Sequence, residues 1–239
     1  NNNLPATQTL SYASSTITWL RGGSAPEVWR TAFDHSADGV TWTVFGAGTR
    51  IAGGWQRTGA TLPAGRTLRA RGQVVGGYQN ASGWFVESYY GRPVFISHPQ
   101  SRTNGGTTTA TFQVAVGGSG PMMVQWQKNG VNLSNQGNVS GAGSNFLALA
   151  NVLKTDEGAY RVVVSNSFGS VTSLVAYLTV LNPMITQHPA DAHRNAGENV
   201  TFNVAAVGTP SMSYQWEHDG APIPGAVGTS LALQNVTGG

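Results

Sequence analysis

Cysteine is missing from all 239 residues, which removes disulfide bridges and every thiolate metal site at once. That absence does not place the chain in the cytosol, because a two-sheet sandwich folds without a bridge when apolar side chains fill the space. Charged residues are scarce, at 10%, and no stretch carries the apolar period of an amphipathic helix. No apolar run is long enough to cross a bilayer, so membrane insertion is not expected. No signal peptide opens the chain, which begins Asn1-Asn2-Asn3 without a methionine. A longer precursor is expected, with its export signal removed or lying upstream. Runs of Lys and Arg are also lacking, and a nucleic-acid groove needs clustered positive charge along one face, so no nucleic-acid partner is expected. A Gly-x-Ser-x-Gly elbow, a phosphate loop and an EF-hand loop are all absent.

What is abundant is Gly, Ser, Thr and Asn, with short apolar alternations between them. Such a composition suits short strands joined by tight turns, and the expected fold class is all-β, a tandem of sandwiches. The length allows two or three small domains. Arg92-Pro93 and Leu181-Asn182-Pro183 mark two boundaries, since proline fixes the chain and biases its predecessor toward an extended conformation. The expected domains are therefore 1–92, 93–181 and 182–239. The first holds eight Arg and no Lys, against Glu27, Asp34, Asp38 and Glu87; the last has Arg194 alone against Asp191, Glu198, Glu217 and Asp219.

In residues 1–92 the alternations pair Leu10 with Tyr12, Ile17 with Trp19, Val40 with Trp42 and Val44, and Leu68 with Ala70. Turn signals fall at Asp38-Gly39, Gly53-Gly54, Gly76-Gly77 and Ser82-Gly83. Ser36-Ala37-Asp38-Gly39-Val40-Thr41-Trp42 resembles the Asp box of sialidase propellers but lacks the residue between Asp and Gly, so it reads as an ordinary hairpin turn. The wording Trp19-Leu20-Arg21-Gly22-Gly23, Pro26-Glu27-Val28, Gly48-Thr49-Arg50-Ile51-Ala52-Gly53-Gly54-Trp55 and Leu68-Arg69-Ala70-Arg71-Gly72 resembles the region after the propeller of delta-sixty-repeat proteins. Those are large exported proteins of environmental bacteria, notably the Verrucomicrobia. The resemblance implies an extracellular or cell-surface place and no established chemistry.

The stretch Asp156-Glu157-Gly158-Ala159-Tyr160-Arg161-Val162-Val163-Val164-Ser165-Asn166-Ser167-Phe168-Gly169 leads from a turn into a strand, with Tyr160, Val162 and Val164 on one face, and turns back into Val171–Val180. It resembles the F and G strands of intermediate-set immunoglobulin domains. The resemblance implies that Tyr160 is the tyrosine corner and that Val162 and Val114 occupy the two core cysteine sites. Trp126 follows Val114 by twelve positions, similar to the Cys-to-Trp spacing of that family. The missing bridge would have closed a loop of about fifty residues, a stabilisation of roughly 4 kcal/mol. Two buried valines at about 1.5–3 kcal/mol each are a partial substitute.

The pattern repeats within the chain ninety residues on: His98-Pro99 recurs as His188-Pro189, Thr111-Phe112 as Thr201-Phe202, Val114 as Val204, and Gln125-Trp126 as Gln215-Trp216. Leu231–Val236 repeats strand E, and no counterpart of residues 156–180 follows. The third domain is therefore expected to lack strands F and G. Either the sequence is a piece of a longer chain, or a strand from another subunit fills the gap by donor-strand complementation.

No catalytic residue, cofactor or metal is expected. Asp156 and Glu157 sit in a strand-connecting turn. His98 and His188 precede prolines in equivalent places, and His35, His193 and His218 have no partner at metal-ligand spacing. Asn80, Asn132, Asn138, Asn199 and Asn235 open glycosylation sequons in a chain rich enough in Asn, Ser and Thr to produce them by chance. Small-ligand recognition has one candidate, a carbohydrate surface of Trp29, Trp55 and Trp84 with Arg50 or Arg57 bonding hydroxyls. Tryptophans of this kind also fill the core of a small sandwich. The expected core elsewhere is Val114, Trp126, Tyr160 and Val162, with Val204 and Trp216. Two function classes stay open: a non-enzymatic spacer, adhesion or self-assembly segment of a secreted surface protein or filament, meeting a protein partner through the incomplete third domain, and a carbohydrate-binding accessory region of a polysaccharide-active protein.

Overall fold

Strand alternation decides the first ninety residues. The computed structural model describes residues 4–74, 84–208 and 211–237, and the turns read at Gly76-Gly77 and Ser82-Gly83, like the Trp84 and Phe85 side chains, lie outside that description. Eight strands form here: β1 (Thr7–Ala13), β2 (Thr16–Gly22), β3 (Arg30–Ser36), β4 (Thr43–Gly46), β5 (Thr49–Ile51), β6 (Gly54–Arg57), β7 (Thr67–Val74) and β8 (Trp84–Tyr90). They pair as two sheets, β1-β2-β6-β5 and β4-β3-β7-β8. Leu10, Ile17 and Trp19 face inward from one sheet and meet Phe33, Leu68, Ala70 and Val74 from the other. The expected inward run of Val40, Trp42 and Val44 does not form, and both valines are exposed. A register shift between Phe33 and Asp34 sets Val44 opposite Asp34, on the outer face.

The Ser36–Trp42 turn is more tightly bonded than an ordinary hairpin. The Asp38 carboxylate accepts the amides of Val40 and Thr41 at 2.8 Å each and the Ser36 hydroxyl at 2.8 Å. These donors hold the Asp38 carboxyl well below the usual carboxylate range. The Trp42 indole N–H closes the turn on the Gly39 carbonyl at 3.0 Å.

Residues 94–181 carry β9 (Val94–Ser97), β10 (Arg102–Gly105), β11 (Ala110–Gln113), β12 (Ala115–Gly117), β13 (Met123–Lys128), β14 (Val131–Asn132), β15 (Val139–Ser140), β16 (Phe146–Leu149), β17 (Gly158–Asn166), β18 (Gly169–Thr172) and β19 (Ala176–Leu181). One sheet runs β10-β19-β17-β13-β14 with β18 also on β17, and faces β11-β16-β15 and the pair β12-β9. The expected all-β sandwich is the architecture that forms. Three segments differ from their reading. Strand B breaks at Val114, because β11 pairs with β16 while β12 pairs with β9. The returning strand breaks at Ser173-Leu174-Val175, where the Ser173 hydroxyl takes the Val162 amide at 3.0 Å in place of a ladder bond. And β10, too short and polar to be read as a strand, lies parallel to β19.

Between these sheets Val114 and Val162 are 3% and 0% exposed, in one cluster with Trp126, Phe112, Leu147 and Val164. The Tyr160 hydroxyl donates to the Asp156 carbonyl at 2.6 Å, and burial pushes its pKa above the usual phenol value. The same residue stacks on Phe112 at 4.9 Å between centroids.

From residue 184 the strands are β20 (Met184–Gln187), β21 (Val200–Asn203), β22 (Ala205–Val207), β23 (Glu217–His218), β24 (Ala221–Pro222) and β25 (Ser230–Leu233). The internal repeat extends to hydrogen bonds: Gln125 donates to the Trp126 and Leu133 carbonyls, and Gln215 to those of Trp216 and Ile223. Val204 and Trp216, expected in a core, are only half-buried. Tyr160, Val162, Val164 and Leu178 complete the cluster around Phe112 and Trp126, and among the described residues from 184 onward no strand takes their place.

Both junctions are made of the same parts. Gly118 sits with φ +141° against the Arg92 carbonyl and Pro93, and Gly208 packs on Asn182 and Pro183. A Cβ at either would press on Met122 or Met212, at 3.0 and 3.1 Å. At the first junction Asn166 donates from its amide to the Gly91 and Ser119 carbonyls, each at 2.8 Å, and Tyr90 meets Phe168 edge-on at 5.3 Å.

Candidate functional site

The first domain carries a small cleft at one end of the β1-β2-β6-β5 sheet. Arg21 and Gly22 close β2, the loop through Gly23, Pro26 and Glu27 folds over them, and Arg50 with Gly53-Gly54-Trp55 supplies the opposite wall from the β5–β6 hairpin. Gly54 makes the approach possible, since a Cβ there would run into the Trp19 carbonyl. The cleft is open to solvent and has a volume of about 200 Å³.

Its charges are two guanidiniums and one carboxylate. Arg50 pairs with Glu27, both largely exposed, and lies 5.7 Å from the Trp55 ring centroid. Arg21 donates to the Pro26 carbonyl at 2.8 Å and sits 5.1 Å from the Trp19 ring. Its Nε is buried with no hydrogen-bond partner. Desolvation lowers the Arg21 pKa and the Glu27 charge opposes that shift, but an arginine keeps its charge at working pH.

Of the five residues read as a carbohydrate surface, the structure brings Arg50 and Trp55 together. Arg57 does not join them, because its guanidinium lies under Gly46 and donates to the Ala47 carbonyl at 3.1 Å. Trp29 is half-exposed but lies outside the cleft, its backbone amide tied to Gln73. The side chain of Trp84 lies outside the described residues. Trp55 is partly buried and stands opposite Trp19 on the neighbouring strand, so its ring packs on the core rather than forming an open platform. Arg21 and Glu27 were not read as site residues. A signal was present: three of the four word-like motifs, around Arg21, Glu27 and Arg50, converge on this one cleft.

A second polar cluster sits beside the first junction. Asp34, fully buried, accepts from Arg69 at 2.9 and 3.0 Å and pairs with Arg71 at 2.7 Å. The Arg69 guanidinium lies 3.8 Å over the Trp42 ring, and Trp42 meets Tyr89, whose ring fills the space over Gly117. Tyr89 donates to Glu87 at 2.5 Å, and burial with that acceptor raises its pKa above the usual phenol value. Each carboxylate here is paired with an arginine, and the cluster reaches residues 93–181 through the Tyr89 ring against Gly117.

The remaining titratable side chains are dispersed. Among the described residues no three His, Asp or Glu converge in a way that could hold a metal. Asp156 accepts the Leu153 amide at 2.8 Å and the Asn138 amide at 3.1 Å. His98 accepts the Leu174 amide at 3.2 Å. His35 is buried against Phe45 with its Nδ1 unpartnered, and burial first, then Arg66, lowers its pKa against the smaller pull of Asp34. The unfolded chain therefore binds a proton more readily than the folded one. First-domain stability from this group is intact above about pH 6.5 and declines as pH falls through that value toward the lower folded pKa. Melting curves between pH 7 and 5 should show this slope and should flatten in His35→Phe; equal slopes in the two proteins would refute the assignment.

Compared with known proteins, residues 93–180 match the family model described as Immunoglobulin I-set domain. The chain is 33% identical over 150 residues to Endoglucanase C of Cellulomonas fimi, covering 59% of this chain and 13% of that protein. It is also 33% identical over 150 residues to leucine-rich repeats and immunoglobulin-like domains protein 3 of Mus musculus, covering 57% and 13%. The chain thus spans only about an eighth of these curated relatives. Among solved structures, a chimeric titin Z1Z2 carrying an exogenous decorin peptide matches with 30% identity over 38% of this chain and 94% of that one, at a TM-score of 0.35.

Proposed function

We propose that this chain, whose middle part is an immunoglobulin I-set domain, is a non-enzymatic extracellular spacer and adhesion segment of a secreted bacterial surface protein. One observation carries the reading: each junction packs a glycine, Gly118 or Gly208, closely against an X-Pro step, and the first is also hydrogen-bonded through Asn166. Closely packed junctions favour a stiff array that holds its ends apart. The bacterial, extracellular placement rests on the likeness of residues 1–92 to exported delta-sixty-repeat proteins. Its partners on this reading are proteins.

Gly118→Val tests the array. The new Cβ crowds the Arg92 carbonyl and Pro93 while the backbone stays at a φ that valine rarely adopts, so the substitution loosens the junction. Small-angle scattering should show a broader distribution of overall dimensions, with the melting transition of residues 93–181 nearly in place. An unchanged scattering curve in a folded variant defeats the stiff-array reading. Antibody labelling of intact cells checks the placement, and label appearing only after lysis overturns it.

The cleft favours a second reading, an accessory carbohydrate-binding region, with support from the likeness to a part of Endoglucanase C.

A further inference from the structure

The cleft holds two guanidiniums and a single carboxylate, and that carboxylate is loosely held. Glu27 and Arg50 have side chains 73% and 59% exposed, and an ion pair so open to water contributes little. Arg21, by contrast, buries a donor, Nε, that nothing in its surroundings accepts. A half-buried guanidinium lining the same cleft as a second guanidinium, whose partner exchanges at small cost, makes a receptor for another carboxylate.

The walls narrow the class further. At about 200 Å³ the cleft is smaller than the roughly 300–1,000 Å³ of sites that enclose a whole small molecule. It therefore suits one ring-sized unit of a longer chain. Much of its lining is glycine, so main-chain groups can be approached closely by a ligand rich in hydroxyls, which both donate and accept. The Trp55 ring is already covered by Arg50 on one side and by the core on the other, which disfavours recognition by stacking. We propose that the Arg21–Arg50 cleft binds one uronate unit of an acidic polysaccharide, whose carboxylate displaces Glu27 from Arg50 beside the Arg21 guanidinium. The inference rests on the carbohydrate-binding reading and names its substrate class; Glu27 then acts as an internal competitor.

Calorimetric titration of the whole chain with trigalacturonate, cellotriose and triglutamate tests it. Trigalacturonate should bind and cellotriose should bind at least about tenfold more weakly, the loss expected when a charge-assisted hydrogen bond is missing. Glu27→Gln should tighten trigalacturonate, and Arg50→Gln should weaken it by about tenfold; both sites are exposed, so both variants should keep the wild-type melting curve. Cellotriose binding as tightly as trigalacturonate overturns the acidic specificity and leaves the carbohydrate reading standing. Triglutamate binding equally well or better assigns the cleft to acidic protein instead. Weaker trigalacturonate binding in Glu27→Gln overturns the displacement, and no binding of any probe overturns both the site and the carbohydrate reading.

Discussion

Val162→Asp is expected to abolish folding of residues 93–181. Val162 is fully buried, opposite Trp126 in the β13–β17 ladder and in the same cluster as Val114. A carboxylate there meets aliphatic and aromatic side chains, with no cation in the cluster to pair with it. Desolvating an unpaired charge costs several kcal/mol even after relaxation, and the valine's own burial, about 1.5–3 kcal/mol, is lost as well. Together these approach the whole stability of a small domain, roughly 5–15 kcal/mol. No disulfide holds the sheets once packing fails. In the whole chain the melting transition of this domain should vanish while that of the first persists. A wild-type melting curve for Val162→Asp would show that the core has been wrongly placed.

Asp34→Asn should have the next largest effect. The side chain of Asp34 is fully buried, that of Arg69 is 14% exposed, and Arg71 is 33% exposed. Removing one member of a buried pair costs about 3–5 kcal/mol, and Glu87, 3.8 Å from Arg69, offsets part of that loss. The more open Arg71 contributes less to that figure. The substitution also frees Arg69 from its position over Trp42, and Trp42 supports Tyr89 at the junction. The urea midpoint of the first domain should therefore fall and the junction should loosen. A midpoint equal to wild type would mean that the two arginines find water as readily as Asp34.

How much of this was legible in the sequence depended on how local each feature is. The Asp-x-Gly-x-Tyr spacing places Tyr160 four residues from the carbonyl that it bonds, so a short motif carried the whole geometry. The Val114 and Trp126 positions followed from spacing along one pair of strands. Strand β10 was missed because Arg-Thr-Asn-Gly has neither apolar alternation nor length; it is held by Arg102, which bonds Thr111 from across the turn. The β18–β19 break was hidden inside Val171–Val180, a stretch of strand-forming residues with one buried serine, Ser173, at the break. Val44 misled because a one-residue shift in register moves a strand's apolar set to the other face, and Val40 because it lies in the Asp38 turn rather than in a strand. In the cleft, Arg50 and Trp55 belong to one hairpin and were read together. Arg21 and Glu27 join them only when β2 and β6 pair, a contact that no local pattern announces.

The parallel pairing of β10 with β19 sets how the middle domain answers to load. Residues 102 to 105 lie beside residues 178 to 181, near the points where the chain enters and leaves the domain. A pull on those two ends slides one strand along the other, so tension falls on all four residue pairs at once rather than unzipping them singly. Such a seam resists stretching more than its few polar residues suggest, as a lap joint resists sliding more than peeling.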